Sequence, residues 1–185
     1  QDLSFRDLET SLRIGDRNVI REGVTIHRST KEGGATIVGS DCFLMAYVHV
    51  AHDNRIGDRV VIANNVMLAG HVEVGERAFL GGGAGIHQFC RVGRLAMVGG
   101  NAGAPQDCLP FVITDGHPAR ARGLNVVGLR RAAELSLESL ARTLLGLVEP
   151  SAGSVRLDGR LLAPRLSGRG AEDVRALQIV FQSPG

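Results

Sequence analysis

The chain of 185 residues has no tryptophan, one tyrosine and three cysteines, and its charges nearly cancel at a net +2. Each shortage excludes something. No apolar run approaches the roughly 20 residues that a helix needs to span a bilayer, so membrane insertion is not expected. No N-terminal stretch reads as a secretory signal. Cys42, Cys90 and Cys108 are odd in number and lack the spacing of metal ligands, a usage that fits a reducing compartment. The charge balance gives no sign of a nucleic-acid partner. Opening on Gln1 rather than Met, and stopping at "VFQSPG", the sequence reads as a fragment at both ends.

What is abundant is glycine, at 25 residues, and a repeat. Every sixth residue from Val38 is a branched aliphatic: Val38, Leu44, Val50, Ile56, Ile62, Leu68, Val74, Leu80, Ile86, Val92 and Val98. The same register runs back through Ile26, Ile20 and Ile14, with one break at Glu32. A helix repeats its apolar residues every three to four positions and an ordinary strand every two, so a period of six fits neither. It fits an all-β fold, a left-handed parallel β-helix of hexapeptide repeats, in which each unit is a short strand plus a turn. Three faces then make a coil of about 18 residues, each inward aliphatic stacking on the next about 4.8 Å away. The small and polar residues that follow are expected to make the turns, where Gly and Asn tolerate left-handed angles.

This winding gives "HVAHDNRIG" (His49 to Gly57) a meaning that linear reading misses. Residues 18 apart lie one above another, which sets His52 against Gly70, Gly70 against Gln88, and Asp53 beside His71. The chemistry such a cluster fits is general-base catalysis. Neutral His52 takes a proton from a hydroxyl, Asp53 holds its tautomer, and the Gly70 N–H donates to an oxyanion. Turn histidines in a β-helix also serve as solvated or hydrogen-bonded spacers. His49, His52 and His71 equally fit a zinc site that activates water, as in a hydratase or hydrolase.

Stretches "QDL", "IGDRNVIREGVTIHRST", "AYVHVAHD", "VIANNVMLAGHVEVG", "GGGAGIHQF", "MVGG" and "GHPARARGLNVVGLRR" follow one another from Gln1 to about Arg131. In that order they resemble the UDP-N-acetylglucosamine O-acyltransferases, the cytoplasmic enzymes that begin lipid A biosynthesis. The resemblance implies a homotrimer with active sites between neighbouring β-helices, hydroxyacyl-acyl carrier protein and UDP-N-acetylglucosamine as substrates, and neither cofactor nor metal. It implies His52 as general base, Asp53 as its orienting partner and Gly70 as oxyanion donor. Asp2, His27, His49, His71, His87, Gln88, Asn125 and Arg131 match substrate-binding positions. Gly99 and Gly100 match the place where the acyl chain is measured, and small residues there imply a longer chain. Arg120, Arg122, Arg130 and Arg131 are read either as meeting the acidic carrier protein or the pyrophosphate, or as a solvated basic turn. Ser4 stands where the family carries Lys, with Arg6 nearby, and Val127 where many members carry an acid. The family's first coils would precede "QDL"; without them an apolar solenoid end is expected to be exposed.

The expected organisation is a β-helix domain over 1–131 and a tail over 132–185. Leu137, Leu140, Leu144 and Leu147 are spaced as a helix with Ser136 as its N-cap. From about residue 136, "LARTLLGLVEPSAGSVRLDGR" and "ALQIVFQSPG" resemble an ABC-transporter ATP-binding subunit up to the glutamine of its Q-loop, here Gln182. Leu137, Glu138 and Ser139 occupy the places of its phosphate-binding residues, so ATP binding is not expected. "SVRLDG" reads as a strand into a turn and "LQIVFQ" as a strand, within a poorly ordered α/β tail. A further alternative is that a chain so truncated and joined is an inactive fragment.

Overall fold

The computed structural model describes residues 8–132 and, as backbone, the short strands 156–157 and 160–161. It divides into two compact units, Gln1–Gly128 and Leu129–Gly185. The first is a left-handed parallel β-helix. One face stacks the strands Ser11–Ile14, Ala35–Val38, Arg55–Ile56, Glu73–Val74 and Arg91–Val92. The second runs through Val19–Ile20, Phe43–Leu44, Val61–Ile62, Phe79–Leu80 and Met97–Val98. The third holds Thr25–Ile26, His49–Val50, Met67–Leu68, Gly85–Ile86 and Gly103–Ala104.

The period of six lands the aliphatics where it predicts. Leu44, Val50, Ile62, Leu68, Leu80 and Val98 are all 0% exposed and stack along the axis of the prism. Each such burial is worth roughly 1.5–3 kcal/mol relative to an exposed side chain. A second inward position, two residues earlier, is filled by smaller groups: Cys42, Val48, Val60, Val66, Ala78, Ala84, Cys90 and Ala96. The three cysteines are free and buried, and burial pushes each thiol's pKa up. In the first coil Ile14 and Ile20 are 45% and 41% exposed, whereas Val38 and Leu44, their partners one coil on, are 1% and 0%.

The turns work differently from the sequence expectation. Asp41, Tyr47, Asp53, Arg59, Asn65, His71 and Arg77 all adopt φ between 55° and 60°, so the left-handed position recurs every six residues and is mostly not glycine. The glycines after the aliphatics answer another demand. A Cβ on Gly57 would come 2.9 Å from the Glu76 nitrogen, and one on Gly75 would come 2.5 Å from the Arg94 nitrogen. They are there because adjacent coils approach closely, not for backbone freedom.

The break at Glu32 also has a structural cause. From Arg55 upward successive strands pair with a step of 18 residues, as in Arg55 with Glu73. The lowest pairs step by 24, as in Thr25 with His49 and Ile14 with Val38. One extra hexad therefore loops out at the corner between the third and first faces, and the register resumes unchanged above it.

The hexads stop at Ala104. Strand Val112–Gly116 still pairs in parallel with Met97–Val98, then turns back antiparallel through Ala119–Leu124, with a cis His117–Pro118 bond between them. A helix, Val126–Ala132, follows. Its N-cap is Asn125, whose Oδ1 accepts the Gly128 N–H at 3.0 Å. The expected strand in "SVRLDG" is found at Arg156–Leu157, paired antiparallel with Arg160–Leu161. The helix expected over the leucines from Leu137 and the strand in "LQIVFQ" lie outside the described residues. Among the described residues no helix is long and apolar enough to cross a membrane.

Candidate active site

The corner between the third and first faces brings together His52, Asp53 and His71. Because its left-handed position repeats every coil, Asp53, His71 and Phe89 are stacked one above another, at φ of 60°, 60° and 66°. The residue before each is set likewise, which puts the His52 ring over Gly70. A Cβ on Gly70 would lie 2.6 Å from both Cε1 and Nε2 of His52, so only glycine leaves room for the imidazole. Asn54, fully buried beneath the turn, donates from Nδ2 to the Ala51 and Ala69 carbonyls at 2.8 and 2.9 Å, tying two coils together directly behind the pair.

His52 Nδ1 lies 2.8 Å from Asp53 Oδ2. The two side chains are 17% and 8% exposed. Burial alone would raise the pKa of the Asp53 carboxyl. Hydrogen bonds from Ser29, His52 and Thr30 outweigh that and hold it well below the ordinary carboxylate value. The backbone N–H of Asp53 donates to Thr36 Oγ1 at 2.8 Å. His71 meets His52 edge-on, with centroids 5.0 Å apart, and stacks on Phe89 at 4.7 Å. Its Nε2 is 3.8 Å from Asp53 Oδ2. His52, Asp53, Gly70 and His71 thus come together from adjacent coils, as the spacing of 18 residues anticipates.

Ser29 and Thr30 escaped the sequence reading. They come from the looped-out hexad, and the break at Glu32 was the available signal. Ser29 Oγ donates to Asp53 Oδ1 at 2.5 Å, and Thr30 Oγ1 donates to Oδ2 at 2.8 Å.

The other expected positions divide. His27 and His49 pair edge-on at 4.8 Å, and Thr25 Oγ1 is 2.8 Å from His49 Nδ1. Burial lowers the His49 pKa below its usual 6.5. His87 and Gln88 are exposed, two coils above His49. An apolar groove of about 620 Å³ runs up the third face, lined by His49, Met67, Ala69, Ile86, His87 and His117 among others. Gly99 and Gly100 do not line it. They sit at the corner between the second and third faces, where Gly99 is buried against Asp115 and Gly100 is exposed. Asn125 is buried, with both ends of its amide used by the fold: Nδ2 donates to the Leu95 carbonyl at 2.8 Å, and Oδ1 caps the helix. Arg131 is exposed in the last turn of that helix, in the second compact unit. Asp2 lies outside the described residues.

As chemistry, this corner offers an imidazole aligned by an ionised acid, with a backbone of minimal bulk beside the ring. His52, Asp53 and His71 also offer three ligand atoms within 4.8 Å of one another, a set that a zinc ion would accept.

Comparison with known proteins narrows the field. Residues 35–70 match the bacterial transferase hexapeptide (six repeats) family, and residues 107–142 match domain 2 of UDP-N-acetylglucosamine O-acyltransferase. The second match runs past the junction expected near residue 136. The likeness of the tail to an ABC-transporter subunit is not borne out. The acyl-[acyl-carrier-protein]--UDP-N-acetylglucosamine O-acyltransferase of Burkholderia thailandensis is 49% identical over 132 residues, which cover 71% of this chain and 50% of that protein. The chain thus spans about half the length of the curated relatives it matches. Among solved structures, UDP-N-acetylglucosamine O-acyltransferase from Moraxella catarrhalis RH4 superposes with a TM-score of 0.72 at 43% identity, covering 78% of this chain and 58% of that one. UDP-N-acetylglucosamine acyltransferase from Campylobacter jejuni does so with a TM-score of 0.69 at 34% identity, covering 96% of this chain and 68% of that one. With the winding, the stacked corner and these matches in agreement, the chain belongs to the UDP-N-acetylglucosamine O-acyltransferase family.

Proposed function

We propose that the chain transfers a 3-hydroxyacyl group from acyl carrier protein to the 3-hydroxyl of UDP-N-acetylglucosamine, the first step of lipid A biosynthesis. The observation that carries this reading is the 2.8 Å contact of His52 Nδ1 with Asp53 on a ring packed over Gly70. With Nδ1 engaged by the carboxylate, Nε2 is the basic nitrogen. It takes the proton of the sugar hydroxyl as that oxygen attacks the acyl carbonyl. The Gly70 N–H receives the developing oxyanion. Collapse of the tetrahedral intermediate expels the carrier, which takes the proton back from His52. No cofactor enters. The apolar groove beside His49 and His87 is the bed for an acyl chain.

His27, His49, His71, His87, Gln88, Asn125 and Arg131 are proposed to surround the sugar, phosphates and nucleotide, with Asp2 as a sugar-site acid. The domain division proposed is the catalytic β-helix over 1–131 and the remainder over 132–185. Gly99 and Gly100 belong to a different corner of the prism from His52. Both corners border the third face; the assembly proposed is a homotrimer with sites shared between prisms, acting in the cytoplasm. The test is acyl transfer with purified carrier protein and nucleotide sugar: His52→Ala should abolish transfer while the assembly size holds, and retained transfer would overturn the base assignment.

A second reading has a specific observation behind it, the His52, Asp53 and His71 cluster. A zinc hydrolase built there would carry about one metal per site and lose activity on chelation. Metal analysis of the purified protein, with activity measured before and after a chelator, separates the two.

A further inference from the structure

One carboxylate at the corner lies within reach of two imidazoles. Asp53 Oδ2 is 2.8 Å from His52 Nδ1 and 3.8 Å from His71 Nε2. We propose that the looped-out hexad of the first coil is a positioning clamp, in which Ser29 and Thr30 fix Asp53 on His52 and away from His71. The inference rests on the reading of His52 as the base and adds the residues that make it one.

Accounting for protons supports it. Ser29 is wholly buried, and its Oγ accepts the Lys31 N–H at 3.0 Å, which leaves its own proton for Asp53 Oδ1 at 2.5 Å. Thr30 gives both its donors to Oδ2, the N–H at 3.3 Å and the hydroxyl at 2.8 Å. Both carboxylate oxygens are therefore pinned from the loop side. The Thr30 hydroxyl has then spent its only proton, so toward His52 Nδ1, 3.4 Å away, it can only accept. Nδ1 faces two acceptors, Asp53 and Thr30, and must carry the ring proton. In the neutral ring the lone pair then belongs to Nε2. The loop thus selects both the partner of Asp53 and the tautomer of His52.

Elsewhere along this corner the chain passes from the third face to the first in four residues, as in 51–54 and 69–72, too few to reach back over the carboxylate. The extra hexad is what brings Ser29 and Thr30 there. The loop is itself anchored, with the Gly33 N–H donating to the Glu9 carbonyl and the Gly34 N–H to the Lys31 carbonyl, each at 2.8 Å.

The experiment reads the ring directly. In protein labelled with ¹⁵N-histidine at alkaline pH, His52 should show one dominant tautomer with the proton on Nδ1. Ser29→Ala combined with Thr30→Val should give a mixture of tautomers, and Thr30→Ser should restore the single form. In the transfer assay the double variant should lose between about tenfold and about 100-fold in kcat with KM for the nucleotide sugar unchanged, the range typical of a displaced supporting shell. If the double variant does not fold by circular dichroism, Thr30→Val alone provides the same readout with the buried serine kept. A ring that stays in the single Nδ1–H form without the two hydroxyls overturns the clamp. Mixed tautomers in the variant, together with full transfer by His52→Ala, would instead leave the clamp standing and remove the base assignment.

Discussion

Two edge-on histidine pairs occupy neighbouring levels of the same prism, and they differ in what holds them. His27 and His49 meet at 4.8 Å and His52 and His71 at 5.0 Å, with interplanar angles of 82° and 87°. Ring geometry does not distinguish them. The nitrogen of His49 meets a threonine hydroxyl from the strand below, whereas the nitrogen of His52 meets a carboxylate that is itself held by three donors. A hydroxyl can give or take a proton and fixes no tautomer. An ionised acid only accepts, so it does. The difference teaches that in a repeat protein the neighbours of a ring, and not its stacking, decide which nitrogen carries the proton.

Substitutions should separate the pairs by magnitude. The largest effect belongs to His52→Ala, with acyl transfer falling by about 10⁴-fold, the upper end for loss of a general base. Asp53→Asn comes next. It keeps the shape but can present an N–H to Nδ1, reversing the tautomer, and should cost about 10³-fold in kcat, a loss of the kind seen when a triad acid is neutralised. Gly70→Ala forces the imidazole off its seat and should cost about 100-fold. His49→Ala should raise KM by only about tenfold with kcat nearly kept, as expected for binding shared by ground state and transition state. A kcat loss at His49 equal to that at His52 would erase the distinction.

The smallest expected effect is on stability, and it falls in two separate pH windows. Both groups have folded-state pKa values below their ordinary ones, so each contributes stability above its ordinary pKa and loses it as pH falls through the folded value. For His49 the loss begins below the usual 6.5, and for Asp53 below the usual 3.8. Denaturant midpoints followed from pH 8 to pH 3 should therefore flatten in the upper window for His49→Gln and in the lower window for Asp53→Asn. Flattening in one shared window would show that the two sites titrate as one.

How much of this was legible follows from the same contrast. The hexads from Val38 to Val98 foretold the faces, the core and the stacking of His52 on Gly70 and of Asp53 on His71, because strict periodicity turns sequence spacing into height along an axis. Ser29 and Thr30 were hidden because they lie where the period fails, and an interruption carries no register of its own. The hairpin from Val112 to Leu124 was hidden for the same reason. The part played by glycine was misjudged because close approach of two coils is a property of the stack and not of any one turn. Asn125 is also tied into the fold through the Leu95 carbonyl and the Gly128 N–H, a structural use that no spacing rule conveys.

The extra hexad has a consequence for how such a fold is altered. Because it adds a whole unit, every level above keeps its place, and the excess chain leaves sideways at one corner. A solenoid can thus acquire new side chains beside an existing centre without re-laying the stack, and the natural place to vary or graft reactivity is the span between Ile26 and Ala35, where a whole added unit leaves the register of the faces unchanged.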